Sequence, residues 1–495
     1  MTASAGASLG QINNANWSEI DWEAVEQFVK RLQMRIAKAF GEKRFNKAKA
    51  LQRLLTSSYY AKLFAVRRVS INKGKNTPGV DGVIWKTAKD KLAAALALKR
   101  FGYNPLPLRR IYIPKKNGQK RPLGIPSMHE RAFQALHLLA LAPISEMLAD
   151  PDSYGFRPYR SCADAIEQCF NSLSRRSAPK WILEGDIKSC FDKIDHKWLL
   201  QNMPMDVKIL NKWLKAGYIE KATFVPTLEG TPQGGIISPT LLNLTLSGLQ
   251  KAIQSKVTRA DNVNVIIYAD DFVVTGASQE VLEKVVKPTV EEFLKVRGLE
   301  LSIEKTKITH IREGFDFLGF NVRKYGEKLL IKPSKSSIIS FCRKFRAEVK
   351  ARPAGKTEYL IGILNPKIRG WANYYRLSVA KKSFSYIDSR IFRMIWNWCK
   401  RRHPMKPAYW LRKKYFRSCG FRTWQFSTTK VIQLNTREDC DLIFMSDTKI
   451  QRHIKIKKHA NPFKPEFTEY FKKRKRNKVH EGQSKLMDKC TLDVF

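Results

Sequence analysis

The run Val265-Ile266-Ile267-Tyr268-Ala269-Asp270-Asp271-Phe272-Val273-Val274-Thr275 sets two adjacent carboxylates in a tight turn between two apolar, β-prone stretches. Turns between buried strands ordinarily favour Gly or Asn, and neighbouring anions repel each other. A divalent cation is the simplest compensation. Clustered oxygen ligands that hold two Mg²⁺ about 3.5–4 Å apart are what two-metal phosphoryl transfer requires. Taken alone, the pair also reads as a solvated Asp-Asp turn. A third carboxylate comes from Trp181-Ile182-Leu183-Glu184-Gly185-Asp186, where a strand ends in Asp186 just as a helix would begin. Asp186 could bridge both metals from a neighbouring strand, or simply cap the helix. Asp192 and Asp195 read as surface or capping residues.

These carboxylates need a frame. Residues 181–320 alternate apolar strands with helical periods, which predicts an α/β sheet with strands near 181–187, 263–268 and 272–275. Residues 22–64 carry Val25, Phe28, Val29, Leu32, Ile36 and Ala37 at helical spacing. A break rich in turn residues follows at 72–82, then a hairpin over 109–126 and a long buried helix to about Met147. From 332 to 416 the pattern is helical and aromatic, and 448–478 is strongly basic. A chain of 495 residues is too long for one ordinary core. Four regions are expected: 1–85, 86–330, 331–416 and 417–495.

Charge narrows the partners. Lys plus Arg number 91 against 44 Asp plus Glu, a net +47. So large a charge repels itself unless a polyanion neutralises it. The cations recur along the whole chain rather than in one cluster, which favours nucleic acid over lipid headgroups. Hydrophobic residues at 43% exclude a disordered tail. The eight cysteines include no C-x2-C pair, so no zinc ribbon is expected. Neither a signal peptide nor a membrane span is read, and an intracellular protein is expected.

Several blocks together resemble the reverse transcriptases of group II introns. Tyr268-Ala269-Asp270-Asp271 looks like the reverse transcriptase signature, and the Asp186 segment like the first palm motif. Between them, Gly230-Thr231-Pro232-Gln233-Gly234-Gly235 is similar to that family's G-x-P-Q-G-G block. Upstream, Tyr112-Ile113-Pro114-Lys115 with Arg121-Pro122-Leu123-Gly124-Ile125-Pro126, and Ser153-Tyr154-Gly155-Phe156-Arg157-Pro158, resemble its fingers blocks. The order and spacing agree over roughly residues 20 to 480.

The resemblance implies a right-hand polymerase with α/β palm and fingers, a helical thumb (maturase domain X) and a basic, mostly helical C-terminal region. It implies Asp186, Asp270 and Asp271 as ligands of two Mg²⁺, helped by the Ile187 carbonyl. Lys115, Arg121, Phe191, Gln233 and Lys305 would bind the incoming dNTP, the Phe191 ring crowding its 2′ position. Phe317, Leu318 and Gly319 match the primer-gripping turn. Residues 364–376 and 396–404 look like the maturase thumb, with Arg369, Arg376, Arg401 and Arg402 as RNA contacts; Trp371, Tyr374, Trp396 and Trp398 read individually as packing core. The 1–85 region and the 72–82 loop resemble the intron-binding extension and fingers insertion.

The implied partners are group II intron RNA and target DNA, with no membrane. A homodimer stays open, and the location is bacterial cytoplasm or an organelle matrix or stroma. Many relatives end in an H-N-H nuclease with paired C-x2-C motifs, which Cys490 cannot supply; priming from another source, such as a replication fork, is then expected. A splicing-only maturase and a domesticated reverse transcriptase of repair or defence are the competing readings. A lapsed polymerase should lose carboxylates, and this sequence keeps them.

Overall fold

The computed structural model describes residues 16–480 except 115–117, 119, 232, 233, 421, 434 and 435. Lys115 and Gln233 therefore lie outside the described residues.

The described residues open with α1 (Trp22–Gly41), α2 (Phe45–Ser57) and α3 (Tyr59–Ile71). The periodicity predicted helix from 22 to 64, and turns at 42–44 and Ser58 divide it. The Asp21 carboxylate caps α1 by accepting from the Glu23 and Ala24 N–H groups. Val25, Val29, Leu32 and Ile36 form its buried stripe. All three helices lie against α4 (Met128–Leu148), which is buried almost throughout. The 72–82 loop is tied to α4 by Arg131, whose guanidinium donates to the carbonyls of Gly74, Thr77 and Pro126.

The fingers hairpin pairs β1 (Leu108–Pro114) with β2 (Lys120–Ile125), and β1 adds β4 (Tyr218–Glu220) in parallel, with β5 (Thr223–Val225) beyond. After α5 (Cys162–Leu173) comes the palm sheet, in the order β6-β7-β3-β8 and wholly antiparallel: β3 (Trp181–Asp186), β6 (Asn264–Tyr268), β7 (Asp271–Gly276) and β8 (Lys307–His310). Side chains alternate across it as the strand period demands. Leu183, Val265, Ile267, Phe272 and Val274 join a core shared with the N-terminal helices. Ile182, Ile266 and Val273 join a second core shared with the thumb. Two-sided burial explains why these strands read as continuous apolar runs.

A small sheet of β9 (Phe315–Phe317), β10 (Phe320–Tyr325) and β11 (Lys328–Pro333) leads into the thumb helices α6 (Lys335–Lys350), α7 (Thr357–Tyr375), α8 (Lys381–Arg402) and α9 (Ala408–Tyr415). The C-terminal region corrects one expectation: it is not mostly helical. Residues from 416 build a three-stranded antiparallel sheet, β12 (Phe416–Cys419), β13 (Arg422–Gln433) and β14 (Thr436–Asp441). The segment is rich in Thr, Trp, Phe, Val and Ile, which fit a pleated surface better than a helix. Phe416 and Phe426 pair across strands at 5.6 Å, and Arg417 bridges to Asp439 and Asp441. Among the described residues, α-helix returns in α10 (Thr468–His480), after two short 3-10 turns.

Candidate active site and nucleic-acid interface

Strand register brings the carboxylates together. Asp186, the last residue of β3, is paired with Asp271, the first of β7. Tyr268 pairs with Asp271 across a two-residue turn, so Asp270 sits at its tip. Ala269 occupies the first turn position at φ +57°, a left-handed conformation a Cβ makes costly.

Backing for this turn comes from the Ser153-Tyr154-Gly155 block. Tyr154 N–H donates to the Ile267 carbonyl and Ile267 N–H to the Asp152 carbonyl, at 2.9 and 3.0 Å. A Cβ on Gly155 would come within 2.3 Å of the Ala269 nitrogen, so only glycine allows the approach. Asn243 Nδ2 holds the Gly155 carbonyl at 2.8 Å. One residue before Asp186, Gly185 lies under the Phe272 ring, and a Cβ there would meet Cζ at 2.1 Å.

The electrostatics follow from crowding. Burial raises the Asp271 pKa to about 6, reinforced by Asp270 and Asp186. Asp271 remains exposed at its surface; the cleft walls withhold water on its other sides. Asp270 is also raised by burial and by Asp186, with Arg121 and Lys305 opposing. Lys305 Nζ donates to Asp186 Oδ2 at 2.8 Å, and that bond raises the lysine pKa. The loop carrying Lys305 is fixed alongside Asp186 by the Ser302 N–H, which donates to the Asp186 carbonyl at 2.8 Å, and by an Ile187–Leu301 bridge. The side chain of Asp186 is thus engaged by lysine, and the helix-capping alternative is not what it does. Asp195 does cap, accepting from the Trp198 N–H.

Three oxygen-donor carboxylates at one sheet end suit a hard cation such as Mg²⁺. Among the described residues, no three acidic, His or Cys side chains already stand close enough to form a metal cage. Asp186 is instead bound to Lys305.

Other expected site residues lie on neighbouring elements. Phe191 is half-buried, its ring 6.5 Å from that of Phe156. The Phe191 carbonyl accepts from the Thr231 N–H at 2.6 Å, and a Cβ on Gly234 would strike the Gly124 carbonyl at 2.4 Å. Thr231 therefore lies against Phe191 and Gly234 against the fingers hairpin. Leu318 and Gly319 both take positive φ and close a two-residue hairpin between β9 and β10. The Tyr374 hydroxyl donates to the Leu318 carbonyl, and Tyr375 and Ser337 donate to that of Gly319. Sequence reasoning missed these tyrosine pins, because a Tyr-Tyr pair on a helix carries no signal for what its hydroxyls reach.

A second site is a cleft of about 330 Å³ between α6 and α8. Arg346, Lys350, Arg390, Arg393 and Arg401 line it, and Val349 and Met394 lie among them. Among the described residues none of these five cations has an ion-pair partner. Arg401 is the sole one of the four expected RNA contacts in this cleft. Arg369 is exposed on α7, Arg376 hydrogen-bonds Gln451, and Arg402 donates to the Gly355 carbonyl while stacking over Trp398. Trp398 is core; Trp371 and Trp396 are half-buried in aromatic clusters, and Tyr374 is exposed.

Comparison with known proteins identifies the family. Residues 113–322 match the reverse transcriptase (RNA-dependent DNA polymerase) family, 17–98 the N-terminal domain of reverse transcriptase, and 340–416 the group II intron maturase-specific domain. Protein YkfC of Escherichia coli (strain K12) is 35% identical over 331 residues, covering 57% of this chain and 86% of that one. The chain belongs to the group II intron reverse transcriptase family. Within that family, the group II intron-encoded protein LtrA of Lactococcus lactis subsp. cremoris is 29% identical over 390 residues, covering 65% of this chain and 62% of LtrA's length. Among solved structures, a telomerase from Candida tropicalis aligns with TM-score 0.39 and 12% identity, covering 64% of this chain and 62% of that one. This reverse transcriptase has no helix, among its described residues, long and apolar enough to cross a membrane.

Proposed function

We propose that this chain binds its intron RNA, assists splicing, and copies that RNA into DNA by two-metal nucleotidyl transfer. The observation that supports it best is the register that sets Asp186 opposite Asp271, beside Asp270 at the turn tip. Asp186, Asp270 and Asp271, with the Ile187 carbonyl, would hold two Mg²⁺. When bound, the cations supply charge neutralisation at the transferred phosphate and lower the pKa of the attacking 3′-hydroxyl. Lys305 is the resident counter-charge of Asp186, and its ammonium would serve the triphosphate when Asp186 holds a cation. Arg121 and Lys115 on the fingers hairpin would hold that triphosphate, an Arg fork and a Lys point charge suiting phosphate oxygens. Phe191 would press on the sugar 2′ position and exclude ribonucleotides, with Gln233 lining the pocket. Phe317, Leu318 and Gly319 would grip the primer.

The thumb cleft is our candidate for RNA contact. On α8, Arg390, Arg393 and Arg401 repeat along one helical face over roughly 16 Å, with Arg346 and Lys350 opposite. Unpaired like charges at that density favour a phosphodiester strand. Target DNA is a further partner, and a bacterial ribonucleoprotein or an organelle matrix or stroma is the location that fits.

The test is primer extension on an RNA template with dNTPs and Mg²⁺, beside Asp270→Asn/Asp271→Asn. The parent extends and the double variant does not, while both bind structured RNA equally. Tight RNA binding without extension by the parent would instead establish a splicing-only maturase.

A further inference from the structure

The C-terminal arm runs back across the molecule to the palm, and its contacts there are buried. Asp164, fully buried in the first turn of α5, divides its two oxygens. Oδ2 accepts from the Ser161 N–H and hydroxyl, both at 2.9 Å, as an ordinary helix cap. Oδ1 faces the arm: His453 Nε2 at 2.9 Å, the Ile456 N–H at 2.8 Å and Arg474 Nη2 at 3.0 Å. Arg474 also donates to the Ile454 carbonyl, which folds α10 back onto the irregular segment before it. Lys458 Nζ reaches Asp152 Oδ2 at 3.0 Å, and Arg160 Nη2 reaches the Ala460 carbonyl at 3.1 Å. Burial alone would push the Asp164 carboxyl up, but the His453 hydrogen bond and charge, Arg474 and the Ile456 N–H outweigh it and hold it at about 2. Ile456 and Ala460 are as buried as any core residue.

These anchors belong to the segment that backs the catalytic turn. Asp152 and Tyr154 bond the Ile267 backbone, and Gly155 abuts Ala269. The far side of the segment is fixed by Glu146, whose carboxylate takes Arg157 at 2.9 and 3.0 Å and Arg160 at 3.1 Å. Without the arm, the segment behind Asp270 and Asp271 keeps its bonds to Glu146, Asn243 and Gln250 but loses those to Asp152 and Arg160 from the C-terminal side.

We infer that residues 453–474 are a strut of the polymerase site, with Lys458 and Arg474 acting as positioning residues for the carboxylate turn through Asp152 and Asp164. The inference rests on reading that turn as the polymerase centre. A tail that only contacts DNA would leave Lys458 and Arg474 free for phosphate, whereas here both are spent on the buried carboxylates Asp152 and Asp164.

The experiment uses the full chain carrying Lys458→Gln/Arg474→Gln, and separately Arg474→Lys, assayed well below the melting temperature with equal folded fractions. Incorporation of dNTP is measured at saturating, pre-annealed primer-template against Mg²⁺ concentration. The strut predicts roughly a 10- to 100-fold loss of the maximal rate, as misplacement of reacting groups produces. It also predicts a higher Mg²⁺ requirement, primer-template affinity within about twofold, and partial recovery in Arg474→Lys. An unchanged maximal rate and Mg²⁺ requirement, whether or not nucleic-acid affinity and its salt slope fall, would overturn it. Failure of the parent itself to extend would strike the polymerase reading instead.

Discussion

In the palm, three carboxylates crowd the end of a four-stranded sheet and a lysine, Lys305, answers one of them; in the thumb, five cations crowd one cleft and no described carboxylate answers any. Both arrangements hold like charges together at a cost, and they differ in how firmly. The carboxylates are fixed by strand register, by a glycine on either flank and by a turn in a left-handed conformation. Arg346, Lys350, Arg393 and Arg401 ride exposed on helices, on long stems that can move. A rigid anionic site suits small cations that need defined distances, and an adaptable cationic one suits a polymer whose phosphates need only be neutralised.

If the two sites divide the work in this way, damage to each should leave the other's role intact. Asp186→Asn should cut primer extension by at least about 10³-fold while leaving RNA affinity within twofold; equal losses in both assays would collapse the distinction. Replacing Arg346, Arg390, Arg393 and Arg401 together by Gln should do the reverse. RNA affinity at low salt should fall roughly 100-fold, and the slope of log affinity against log salt should flatten by about 3. Extension of a saturating, pre-annealed primer should persist. A smaller effect belongs to Lys305→Met, which should raise the dNTP KM about tenfold at unchanged RNA affinity, measured by steady-state titration.

The smallest effect sharpens the palm alone. The pKa of Asp271 is about 6, above that of an unfolded carboxylate. Between those two values the folded chain holds a proton that the unfolded chain has lost. Stability from this group is therefore present at low pH and lost as pH rises through about 6. In chelator, Asp271→Asn should raise the melting temperature by roughly 1–2 °C at pH 7.5, a figure discounted for solvent screening of an exposed carboxylate, and not at pH 4.5. Added Mg²⁺ should abolish the gain. A benefit of equal size at both pH values would show that repulsion is not its source.

Much of this was legible beforehand. The strands around Asp186 and Asp270 announce themselves because burial on both faces leaves unbroken apolar runs, and Ser153 to Pro158 is legible as a block. The C-terminal sheet was not, because Lys and Arg among its β-prone residues read as a solvated or helical tail. Contacts 289 to 310 residues apart, such as those of His453, Ile456 and Arg474 with Asp164, leave no local periodicity at all. Asp164 itself shows only its cap, a role that one of its oxygens does fill. Of the arginines the sequence singles out in the thumb, Arg401 lines the cleft and Arg369, Arg376 and Arg402 lie elsewhere, since helix packing decides which basic faces meet.

Gly185 has a further consequence. With no side chain there, the Phe272 ring lies flat across β3 where a methyl group would sit, one step from the paired carboxylates. The missing carbon works as a gauge: it sets how near two neighbouring strands, and hence Asp186 and Asp271, come to one another. A single added methyl, 2.1 Å from the ring, would have to push the ring or the strand aside, by roughly 1 Å, more than the few tenths of an ångström that separate Mg–O from Ca–O distances. The choice of ion would then be written partly in a residue that never touches it.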